Sequence, residues 1–203
     1  MKKLFMLKLI CLLSLIASIA IAAENTVPFK TVPLDEFMQN QLAIKLPIPV
    51  PVVEAYQASK LPGAPVGYSY WMRPEDVEAV KTSGDLPSEH GYMYGKITQS
   101  VGYDKSKDMF VGAEDPQSLA KAKSYFPTLT LERYQFDGHA ILLVKMASAD
   151  AKKIAYAMYI ATNLETNVIY IALRPPRNSE EVGDALFESA KKHYVRKASD
   201  SQQ

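Results

Sequence analysis

The chain has 203 residues, with 23 Lys and Arg against 22 Asp and Glu, and a single cysteine. That length suits one domain with a full core. The near-even charge argues against nucleic acid, whose binding leans on many neutralised phosphates, and one cysteine excludes an internal disulfide.

Residues 1–22 begin with Lys2 and Lys3, continue as an apolar run and close on Ala20-Ile21-Ala22. This is the layout of a bacterial secretory signal peptide, with cleavage expected after Ala22 or, as second choice, Ala23. Lys8 limits the unbroken apolar run to Leu9–Ala23, 15 residues, short of the ~20 that a spanning helix needs. Cys11 follows Ile10, with no small residue before it to suggest a lipoprotein. Cleavage would remove Lys2, Lys3, Lys8 and Cys11, leaving 20 basic and 22 acidic residues. The expectation is a periplasmic chain with no later membrane span, no thiol nucleophile and no thiolate metal site.

Residues 23–66 form a Pro-rich arm in which "KLPIPVPVV" alternates Pro with apolar residues. Proline cannot donate to a ladder, so this stretch is expected as an edge strand or a segment strapped across the fold. "PLDEFMQNQL" before it fits one or two helical turns. An α+β domain is expected over 67–198. "VGYSYWM" reads as a strand, and "RPEDVEAVKTSG" as a short helix with Pro74 at its first position. "GYMYGKITQSVGYD" reads as a strand bent at Gly95, and "EDPQSLAKAKSYF" as a helix capped by Asp115. "LERYQF" and "HAILLVKMA" flank Asp137-Gly138, a two-residue hairpin signal. "KIAYAMYIAT" and "VIYIALR" complete a four-strand antiparallel meander.

In "KIAYAMYIAT", Ile154, Tyr156, Met158 and Ile160 share one face, and Ala155, Ala157, Tyr159 and Ala161 the other. Both faces are apolar, which places the strand centrally and covered on both sides. The alanine face is expected to receive the last helix, "SEEVGDALFESAKKHYVRK", with Asn178 at its cap. A frayed tail follows over 199–203. The whole layout, an antiparallel sheet with helices packed on both faces, resembles the PsbP-like sandwich. That resemblance is architectural and implies a fold, not a function.

Chemistry is thinly signalled. His90 beside Glu89, and His139 two residues from Asp137, are the candidates for a small hydrolase's general base. His193 falls late in the last helix. No His-x-His or His-x-x-x-His is present, so no metal site and no cofactor are expected. The carboxylate pairs Glu75/Asp76, Glu114/Asp115 and Glu180/Glu181 all fall at helix starts, where dipole and capping effects explain them. Gly-x-Ser-x-Gly and phosphate-cradling glycine loops are absent. Arg174 and Arg177 bracket two prolines as a possible anion contact.

The tyrosines stand out instead, 12 of them, with Gly-Tyr-x-Tyr occurring at residues 67–70 and again at 91–94. If the two strands pair in register, Tyr68, Tyr70, Tyr92 and Tyr94 form one stripe, with Trp71 and His90 beside it. Such a stripe is either a cross-strand ladder or a contact surface for a partner. The expected function is a non-catalytic binding protein that engages a protein or envelope component, for example an immunity-type inhibitor or an envelope accessory factor. A small-ligand or glycan binder using the same aromatic surface is the other alternative to the hydrolase.

Overall fold

A computed structural model describes residues 29–39, 42–52, 56–61, 63–64, 66–83, 91–149, 154–162, 167–174 and 180–197. The arm supplies β1 (Phe29–Pro33), α1 (Leu34–Phe37), β2 (Pro47–Pro51) and β3 (Gln57–Ser59). Next come β4 (Tyr68–Met72), α2 (Pro74–Ser83), β5 (Tyr92–Thr98), β6 (Gly102–Asp104), β7 (Met109–Val111) and α3 (Pro116–Tyr125). The remainder is β8 (Thr128–Phe136), β9 (His139–Ala147), β10 (Ile154–Ala161), β11 (Val168–Arg174), α4 (Glu180–Lys191) and β12 (Val195–Arg196). An antiparallel sheet runs in the order β12-β8-β9-β10-β11-β5-β4-β3. The chain is an α+β protein built on that sheet.

The meander expected from the C-terminal half is its centre. Asp137 and Gly138 both take positive φ, +46° and +78°, the backbone that a tight two-residue hairpin turn requires. They set Phe136 opposite His139 and thereby the whole β8–β9 register. β10 lies between β9 and β11, and its apolar residues are buried on both faces, as the doubly apolar pattern anticipates. β5 joins the far side of β11, with Tyr94 opposite Ala172, and β4 then adds to β5.

On one face, α1, α4 and the two-stranded β1–β2 ribbon cover Trp71, Met93, Tyr156, Met158, Ile160, Ile169 and Ile171. The proline-rich segment is thus a strap paired with β1, while β3 from the same arm pairs with β4 at the sheet edge. The strap is tied to the end of the chain, because Tyr194 Oη donates to the Pro47 carbonyl at 2.5 Å. On the opposite face the β6–β7 hairpin brings Val101 and Phe110 against Ala140, Leu142, Val144, Ala157 and Ala161. α3, which buries none of its residues, leans against β8.

The expectation that the last helix packs on the alanine face is therefore corrected. α4 lies on the Tyr156 face, and the hairpin takes the alanine face. The small residue that permits close approach is on the helix: a Cβ at Gly183 would overlap the Tyr156 ring. Tyr156 Oη also donates to Asp184 Oδ1 at 2.8 Å, which docks the ring under that turn. The helix is shorter than expected too. It stops at Lys191, where i→i−3 bonds from the amides of Lys192, His193 and Tyr194 tighten the exit. The chain then reverses into β12 beside β8. Gly95 is no bend: a Cβ there would sit 2.7 Å from Phe37 and 2.8 Å from Met38 Sδ, so the glycine admits α1 to the sheet. The signal segment, Glu89, His90, Arg177, Asn178 and the tail from Ser199 lie outside the described residues.

Candidate functional site: a tyrosine face on the sheet

The doubled Gly-Tyr-x-Tyr does what in-register pairing requires. Gly67 and Gly91 take positive φ, +86° and +65°, just before β4 and β5. Side chains alternate along a strand, so each tyrosine pair points to one side. Tyr70 stands opposite Tyr94, and Tyr68 opposite Lys96. The ring centroids of Tyr70 and Tyr94 are 6.1 Å apart, and those of Tyr92 and Tyr94 are 6.3 Å apart.

The stripe is longer than the motif. Tyr170 on β11 lies opposite Lys96 and meets Tyr94 edge-on at 5.8 Å. Tyr159 on β10 faces Tyr170 at 5.1 Å, and Phe110 of the β6–β7 hairpin stands 6.4 Å beyond it. Six tyrosines therefore cross four adjacent strands in one layer, ending against the hairpin. Each of the six is partly buried and none fully. The signal for Tyr159 and Tyr170 was present in the sequence, in the alternation of "AMYIA" and "VIYIA". Only the β5–β11 pairing, remote in sequence, shows that they continue the stripe.

Burial holds the Tyr70, Tyr92, Tyr159 and Tyr170 hydroxyls above their ordinary range, with neighbouring tyrosines adding to the rise. These phenols are neutral O–H donors at physiological pH. Two cations stand among them. Lys96 Nζ lies 5.9 Å from the Tyr68 ring centroid and 5.7 Å from that of Tyr170. Arg174, exposed at the end of β11, lies near enough to Tyr92 to oppose its upward shift.

Trp71 departs from the expected cluster. It alternates to the opposite face, is 2% exposed, and donates from Nε1 to the Pro51 carbonyl at 3.2 Å. Its place is the core beneath the strap. Tyr68, Tyr70, Tyr92 and Tyr94 are brought together, and His90 is outside the described residues. His139 is buried, with Nδ1 2.9 Å from the Ala161 carbonyl, so its ring pins β9 to the end of β10. His193 is exposed. Arg73 holds Asp76 at 2.9 Å, Glu114 pairs with Arg133 at 2.6 Å, and Asp115 caps α3 through the Ser118 amide at 3.0 Å. The first two carboxylate pairs thus serve local structure. Among the described residues no group of three His, Cys, Asp or Glu is placed to hold a metal ion. No helix among them is long and apolar enough to cross a membrane.

No protein-family model matches the chain, and none of the curated proteins searched is similar to it. Among solved structures the chain is similar to the solution structure of cyanobacterial PsbP (CyanoP) from Synechocystis sp. PCC 6803. The TM-score is 0.41 at 10% identity, over 87% of this chain and 96% of that one.

Proposed function

We propose that this is an exported, non-catalytic binding protein that engages a protein or envelope component through the tyrosine face. The observation that carries the reading is the layer of six partly buried tyrosines running across β4, β5, β11 and β10, with Lys96 and Arg174 among them. Tyrosine supplies rigid contact area and a hydroxyl at modest entropic cost, which suits contact surfaces. A ladder serving only the sheet would gain most from complete burial, and these rings retain accessible area. Export rests on the N-terminal sequence, with its two lysines, apolar run and Ala-Ile-Ala close.

Affinity capture from envelope fractions with the mature chain, followed by its Tyr70→Ser/Tyr92→Ser variant, tests the reading. Loss of the captured component, with the thermal midpoint little changed, is the expected result. Retained capture by a folded variant would remove this face from the binding reaction. A large fall in the midpoint would make the rings part of the core.

A further inference from the structure

Among the described residues, some cations of the fold are held by carboxylates and others, such as Lys30 over the Trp71 ring, are not; Lys96 and Arg174 are set apart by standing among the tyrosines. Arg73, Lys107, Arg133, Lys145, Lys191 and Lys197 each lie within 3.3 Å of a carboxylate oxygen. Among the described residues no carboxylate pairs with Lys96 or with Arg174. Lys96 instead rests between two aromatic rings, and Arg174 beside a phenol. Among the described residues, the groups that shift the hydroxyls of Tyr70, Tyr92, Tyr159 and Tyr170 are one another, Tyr68, Tyr94 and Arg174. Among the described residues the face thus carries two cations and a row of O–H donors, with no carboxylate paired to either cation. A carboxylate brought to it would gain charge-assisted hydrogen bonds from donors that have no such partner among the described residues.

Ring geometry separates the anionic polymers that such a surface could meet. Successive rings are inclined by 31°, 31°, 60° and 50° across the Tyr70–Tyr94, Tyr92–Tyr94, Tyr94–Tyr170 and Tyr159–Tyr170 pairs. Inclined rings offer no common plane on which a run of sugar rings can stack. Their inclined edges and hydroxyls suit contact with single side chains instead. Resting on the reading of this face as a contact surface, we infer that its occupant is an acidic, extended segment of a partner protein. Its carboxylates meet Lys96 and Arg174, and its apolar side chains lie between the inclined tyrosine rings.

The test uses the mature chain and three probes: a labelled Glu-Gly-Leu repeat peptide, its Lys-Gly-Leu counterpart, and polygalacturonate as an acidic glycan. Fluorescence anisotropy is expected to show the glutamate peptide binding at least about tenfold more tightly than the lysine peptide, and weakening with added salt. Lys96→Glu/Arg174→Glu should reduce that affinity by about tenfold or more. Should the double variant fail to fold, Arg174→Glu alone, at an exposed position, gives the same comparison. Equal binding of the two peptides, preference for polygalacturonate, or indifference to charge reversal would overturn the inference. If the tyrosine variant loses its captured component while charge reversal has no effect, the contact face stands and its acidic partner falls.

Discussion

Gly183 shows how little room α4 leaves above the sheet. Alanine in a helix interior is ordinarily favoured over glycine by about 1 kcal/mol. Here its Cβ would overlap the ring of Tyr156, which is 2% exposed and tethered to Asp184, so the ring cannot swing aside. Overpacking of this kind costs ~1–3 kcal/mol, so Gly183→Ala should lower stability by about 1 kcal/mol net. A denaturant midpoint equal to or above the parent's would show that α4 can lift away. Tyr56 makes a second residue-scale prediction. Its hydroxyl donates to the Gly91 carbonyl at 2.9 Å, and burial, with Asp76 nearby, pushes its pKa up from 10.0 to about 12. The folded chain thus holds this proton more tightly than the unfolded one. The associated stability is complete below pH 10 and is lost as the pH rises towards 12. Thermal midpoints across that window should fall less steeply for Tyr56→Phe than for the parent, and parallel slopes would place the alkaline sensitivity elsewhere.

Among the elements, the β6–β7 hairpin is tied to the sheet by carboxylates, Glu114 foremost. Glu114 accepts from the Phe110 amide at 2.7 Å and from Arg133 Nε at 2.6 Å, fixing the hairpin to β8. Its side chain is 8% exposed. A second tie runs from Tyr103 through Asp108 to Lys197. Glu114→Ala leaves both donors without their acceptor, at a cost of about 2 kcal/mol. Faster amide exchange at Phe110 is the accompanying signature, and unchanged exchange there would mean that the Tyr103–Asp108–Lys197 tie suffices. Elements of this kind were legible where local chemistry decides them. Asp137-Gly138 announced the β8–β9 turn, and Asp115 with Pro116 announced α3. Of the β6–β7 hairpin, β6 was merged into the strand read through Asp104 and β7 went unread, because Asp104-Lys105-Ser106-Lys107-Asp108 turns the chain without a glycine. Asp104 Oδ1 instead accepts from the Ser106 and Lys107 amides, a side-chain-made turn.

At the scale of the molecule, the face on which each element packs was the least legible property. Alternation along β10 shows two apolar sides but not which side receives a helix, because the deciding glycine sits on α4. The candidate site divides in the same way. Tyr68, Tyr70, Tyr92 and Tyr94 were readable from spacing, Trp71 fell to the other face by the same alternation, and Tyr159 and Tyr170 needed the β5–β11 pairing. That pairing also bears on the order in which the structure can assemble. Strand β5 meets the meander through Val168–Arg174, and the strap is tied by a residue 147 positions beyond Pro47. The meander from Thr128 to Arg174 closes through successive neighbours, whereas the β3–β4–β5 unit, paired within itself, joins the rest of the sheet only through β11. A chain emerging from its N-terminus therefore lacks the means to complete its core until Tyr194, beyond the end of α4, is free. Held back in this way, its first half keeps its apolar surface uncovered until the C-terminal half has folded.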